Sequence, residues 1–98
     1  MGDISSSVTK TEAVPNLGAK LLVVETPNTA DSGDTIDIDL SDHGCTEFLG
    51  IIGNEHTTEG EIVTTEDPTT SKSGTTITIT IGGSSDNNEK RVYWVLMK

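Results

Sequence analysis

Two stretches of this chain alternate strictly between apolar and polar residues. Across residues 75–81, Ile77, Ile79 and Ile81 fall on one side and threonines on the other. Across residues 35–40, Ile36, Ile38 and Leu40 alternate with Asp37 and Asp39. A period of two predicts half-buried strands, and a slip of one residue would bury the aspartates, so the register is strongly specified. Two further stretches, 20–26 and 91–97, are apolar on both alternating sets. In the second, Val92, Trp94 and Leu96 form one set, and Tyr93, Val95 and Met97 the other. Such a strand needs cover on both faces: one from inside a sandwich, the other from a loop or a neighbouring subunit. Trp94 is expected in the core. Tyr93 is the better contact residue, because its hydroxyl suits a surface that is apolar at one end and wet at the other.

Residues 48–53 predict another apolar strand bounded by glycines, residues 61–65 a weaker one, and residues 5–11 a short strand or an arm. Clusters of Gly, Pro, Asn, Asp and Ser over 26–33, 41–44, 67–74 and 82–88 predict turns. The last of these should join the strand at 75–81 to that at 91–97 as a long antiparallel hairpin. No window sustains a capped 3.6-residue apolar period, and only 41–52 leaves room for a helical turn. About seven short strands at 10–15-residue spacing point to an all-β chain, an antiparallel β-sandwich or jelly-roll-like domain over 19–98, with 1–18 as an N-terminal arm or edge strand.

Composition sharpens this. The 98 residues carry sixteen Asp and Glu against six Lys and Arg, a formal charge of -10. That sign opposes binding to nucleic-acid phosphates or to an anionic membrane surface. The longest apolar runs are far short of the roughly 20 residues that span a bilayer. Residues 1–5 have neither a basic nor an apolar segment of the kind a secretory signal uses, so none is expected. Cys45 is the only cysteine and has no internal partner for a disulfide. Leu, Ile, Val and Phe together number 23, and there are three aromatic residues in all. So few bulky side chains imply a core that is completed by self-association or by docking on a larger body.

Candidate chemistry is sparse. Asp31, Asp34, Asp37 and Asp39 form the densest carboxylate cluster. Their spacing lacks the EF-hand pattern and its closing Glu, so a solvated outer face is favoured over a calcium site. His43, Cys45 and His56 are too few and wrongly spaced for zinc, and nothing around Cys45 suggests a nucleophile's pocket. The run 82–85 lacks the Gly-Lys-Ser/Thr ending of a phosphate loop. No catalytic residue, metal or cofactor is expected.

Four runs carry a resemblance: 31–41 (Asp31-Ser32-Gly33-Asp34-Thr35 entering a strand), 48–53, 75–83 ending in Gly82-Gly83, and 90–95 with Lys90-Arg91 before Tyr93-Trp94. Together they resemble small virion proteins of tailed bacterial and archaeal viruses, over roughly residues 20–98. The resemblance implies a compact, non-enzymatic β-domain that decorates or cements a capsid surface. It also implies a homo-oligomer, with a trimer favoured, and partnership with the major capsid protein or another virion protein. The contact residues expected on that basis and from the doubly apolar strands are Leu22, Val24, Tyr93, Val95 and Met97. A receptor- or glycan-binding module of a fibre is the alternative, and it requires an exposed aromatic or polar pocket.

Overall fold

A computed structural model of the chain describes residues 2–13, 19–56, 63–82 and 88–98. It is a two-layer, all-β sandwich whose strand pairs are all antiparallel. The described residues form eight strands: β1 Thr9–Ala13, β2 Lys20–Glu25, β3 Thr35–Asp39, β4 Phe48–His56, β5 Val63–Glu66, β6 Thr69–Ser73, β7 Thr76–Thr80 and β8 Lys90–Met97. One sheet has the order β1-β2-β8-β4-β5 and the other β3-β7-β6. Short 3₁₀ turns occupy Ser5–Ser7 and Leu40–His43; the second overlaps the start of 41–52, and the first lies outside the one stretch where a helical turn is expected.

The two strictly alternating segments pair with each other. Ile36 lies opposite Ile79 and Ile38 opposite Ile77, all fully buried, while Asp37 faces Thr78 on the outside. This isoleucine layer packs against the inner face of the larger sheet, where Leu22 pairs with Val95 and Val24 with Tyr93. Leu40, Ile81, Ala30 and Cys45 close the ends of the core, and Ile4, Val8, Phe48 and Ile51 pack against its margins.

Three expectations are corrected. The cluster 67–74 is not all turn, because Thr69–Ser73 forms β6. Its threonines and serines suit an extended backbone, and every residue of the strand is exposed, so no apolar alternation advertised it. A two-residue connection follows, with Gly74 at φ 62° in its first position, as a type II′-like hairpin turn requires. The strand at 75–81 and the C-terminal strand do not form a hairpin: β7 belongs to the small sheet and β8 to the large one. The chain crosses between layers there because the isoleucine face of β7 is satisfied by β3 and by the opposite sheet. Residues 83–87 of that connection lie outside the described residues, as do 61–62 of the weaker strand. The expected contact residues are the third: Leu22, Val24, Tyr93, Val95 and Met97 lie in the core between the sheets.

The N-terminal segment lines the sandwich at two edges. Around an isolated bridge between Asp3 and Thr35, Ile4 N–H donates to Thr35 O (2.8 Å) and Thr35 N–H to Gly2 O (2.9 Å), which covers the outer edge of β3. Asp37 N–H donates to Ser5 Oγ at 2.7 Å. β1 then adds to β2 as an edge strand of the larger sheet.

Candidate functional site

The register fixes which side of the larger sheet is free. Tyr93, Val95 and Met97 share a parity on β8 that faces the small sheet, and Leu22 and Val24 face the same way on β2. All five are buried, at 1% exposure or less. The residues expected at a contact surface are therefore the chain's own core, and the assignment of Tyr93 and Trp94 is inverted. Both faces of β8 are apolar, so periodicity alone could not decide between them. The isoleucine layer of β3 and β7 decides it, by covering the Tyr93 side.

The opposite face is open. Trp94 is 37% exposed, Leu96 39% and Ile52 65%. Pairing sets Val23, Trp94 and Ile52 in one row across three strands, and Leu21, Leu96 and Gly50 in the next. A β-bulge between Phe48 and Gly50 leaves Leu49 exposed beside them. Two shallow grooves flank the indole. One, of ≈ 420 Å³, has Trp94, Val23, Val92 and Val63 as its apolar wall and Glu25, Asn54 and His56 at its rim. The other, of ≈ 310 Å³, runs between Trp94, Leu96, Leu21 and Ile52.

Charge is nearly absent from this face. On its side of the five paired strands the ionisable residues are Glu25, Lys90 and His56. Lys90 Nζ lies 3.1 Å from Glu25 Oε1, so the one carboxylate there is paired. Glu25 and Lys90 cancel, so these strand positions add no net charge to a chain whose formal charge is -10.

The aspartate cluster has a structural role at each position. Asp34 accepts from Gly2 N at 3.1 Å through Oδ1 and from Asp31 N at 2.9 Å through Oδ2. Asp31 accepts from Asn88 N, and Asp37 from the Thr78 hydroxyl. Asp39 caps the 3₁₀ turn at Leu40–His43, accepting from the Ser41 hydroxyl, the Thr75 hydroxyl and the Ser41 amide; these bonds hold its carboxyl below the usual range. Among the described residues no three His, Cys, Asp or Glu side chains converge as metal ligands. His43 Nδ1 lies 3.2 Å from Glu12 Oε2, and Lys20 Nζ 3.0 Å from Glu12 Oε1, which ties β1 to the 3₁₀ turn. Cys45 is buried, with its thiol directed at the His43 carbonyl. His56 stands apart from both, on the open face.

A buried polar group went unrecognised in the sequence. Arg91 is 0% exposed. Its Nη1 donates to the carbonyls of Ala30 (2.7 Å) and Glu89 (2.8 Å), and its Nη2 meets Glu55 Oε1 at 3.2 Å. Its backbone N–H donates to Thr26 Oγ1, so one residue pins the 26–33 turn to β8. The signal was its parity: Arg91 precedes Tyr93 by two and shares the inward face. Nearby, Glu66 is 3% exposed and accepts from Gly82 N at 2.7 Å. Burial first, and then the Glu66 carboxylate beside it, push the Tyr93 phenol well above its ordinary pKa. These groups sit within the sandwich, where they staple turns to strands.

Comparison of the chain with protein-family models, with curated proteins and with solved structures finds no match.

Proposed function

We propose that this chain is a non-enzymatic structural protein of a virion, a capsid decoration or cementing protein that stabilises a shell by self-association and by docking on capsomers. The observation that carries this reading is the open face of the larger sheet, apolar at its centre and neutral in charge, on a molecule that is otherwise strongly anionic. Such a surface stays in water at a cost and gains by being covered. The surrounding charge keeps separate copies soluble before assembly. The resemblance of residues 20–98 to small virion proteins supplies the setting, and the major capsid protein or another virion protein is the expected partner. Mass spectrometry and cryo-electron microscopy of purified particles test it. The chain should be present in many copies on the outer shell, and its absence from purified particles would remove the reading.

A second reading, a glycan- or receptor-binding module of a fibre, draws on the groove where Trp94 stands beside Asn54, His56 and Glu25. An aromatic face flanked by polar groups suits a sugar ring. Retention on a glycan array that is lost in Trp94→Ala would favour it over the first.

A further inference from the structure

The exposed large apolar side chains of the described residues are Leu49, Ile52, Val63, Trp94 and Leu96, all on β4, β5 and β8 of the larger sheet. None belongs to the small sheet, whose outer side is threonine, serine and aspartate. The described residues are thus one-sided: a polar side bearing Asp37 and Asp39 on the small sheet and an apolar one on the larger.

Charge narrows what can cover the apolar side. A basic partner would find its complement elsewhere on the molecule, because among the described residues of the paired strands the one carboxylate on this face, Glu25, is already paired with Lys90. Within the paired strands of this face the one lysine, Lys90, is likewise taken up by Glu25, which leaves an acidic partner only Lys98 at the margin. A surface that is its own complement, neutral against neutral and apolar against apolar, is a second copy of the same surface related by a twofold axis. Two copies meeting here also keep their acidic sides pointing apart, the arrangement of least repulsion for chains of charge -10.

The area is sufficient for a reversible contact. Five strands about 4.8 Å apart and rows of five or six residues at about 3.3 Å give a face of roughly 24 by 18 Å. Its outline is about 430 Å² per copy, and the relief of the side chains brings a pair to about 1,000 Å², the lower bound for a specific interface. Trp94 on the central strand, with Ile52 and Val23 beside it, supplies the aromatic anchor that such small contacts need.

We propose that the outer face of the larger sheet is an isologous dimer interface, two copies stacking sheet on sheet about a twofold axis near Trp94 and Ile52. This rests on the reading of the chain as a self-associating structural protein and names what covers its apolar face. Sedimentation equilibrium of the full chain from about 1 to about 500 μM spans the affinities expected of an interface of this size. The wild-type chain should pass from monomer to dimer in that range. Raising the salt should strengthen association by screening the acidic sides. Ile52→Glu, at a side chain already 65% exposed, should weaken association at least about tenfold by bringing unpaired charge into the contact, with circular dichroism and urea unfolding unchanged. Ile52→Ser gives a milder loss without new charge. Ser71→Glu, on the exposed β6 of the other sheet, should leave the dimer intact.

A wild-type chain that stays monomeric throughout, that forms a trimer, or that dimerises equally well as Ile52→Glu would overturn the proposal. The two readings fail separately: absence from purified particles removes the virion role and leaves a dimer standing, whereas a persistent monomer removes the pairing and leaves the virion role open to docking alone.

Discussion

Removing the Arg91 guanidinium should unfold this protein more readily than any surface substitution. The side chain is fully buried, holds the carbonyls of Ala30 and Glu89, and meets Glu55, whose side chain is itself only 14% exposed. Arg91→Ala takes the guanidinium away from a largely buried carboxylate, from the buried Ala30 carbonyl and from the half-buried Glu89 carbonyl at once. Breaking a buried pair from one side costs about 3–5 kcal/mol. A domain of this size has roughly 5–15 kcal/mol to lose, so the change is a large share of the total. At about 4–8 °C per kcal/mol the melting temperature should fall by at least about 12 °C. Glu55→Gln should cost less, because Arg91 keeps its two carbonyl acceptors. Since the two groups share one contact, the double variant should be less destabilised than additivity requires by about 1–2 kcal/mol. Urea unfolding at pH 7 with an unchanged m-value is the assay. A loss below about 1 kcal/mol for Arg91→Ala, or strict additivity with Glu55→Gln, would refute the view that this pair staples the 26–33 turn to the last strand.

Two further outcomes follow from packing and from titration. A Cβ at Gly53 would lie 2.6 Å from the Glu66 carbonyl oxygen and 3.1 Å from the Tyr93 ring, so Gly53→Ala should destabilise by about 1–3 kcal/mol, whereas Gly50→Ala on the same strand meets nothing within 4 Å and should be near neutral in urea unfolding. Tyr93 is the only tyrosine, so the rise in absorbance at 295 nm with pH reports its ionisation alone. Its folded pKa is raised, so the stability it contributes is complete below its unfolded value of about 10 and is lost as the pH rises beyond that; phenolate should appear only together with unfolding measured by circular dichroism, and reversible ionisation near pH 10 in the folded chain would contradict its burial beside Glu66.

The fold was legible where polarity gave it only one answer. Ile36 and Ile38 alternate with aspartates, and Ile77 and Ile79 with threonines, so each strand could turn only one way, and the structure pairs them with each other. Legibility failed where both answers were apolar. Tyr93 and Trp94 belong to two sets that are both apolar, and only the position of the second sheet separates core from surface. It failed again at β6, an exposed strand of Thr, Ser and Lys with no apolar face to announce it. The crossover after β7 reads as a hairpin because sequence neighbours often pair, while the sheet to which a strand belongs depends on partners far along the chain. Arg91 shows the same limit in another form. A charged residue at the start of a strand reads as exposed until the turn that supplies its acceptors, residues 26–33, is folded over it.

Trp94 is the only tryptophan in the chain and lies at the centre of the open face, so its accessibility to acrylamide reports directly on whether that face is the working surface. Quenching followed across dilution should show an indole open to the quencher in dilute solution and shielded as copies accumulate, with Ile52→Glu keeping it open at every concentration. An indole equally accessible at all concentrations in the wild-type chain, or shielded even at the greatest dilution, would contradict the account.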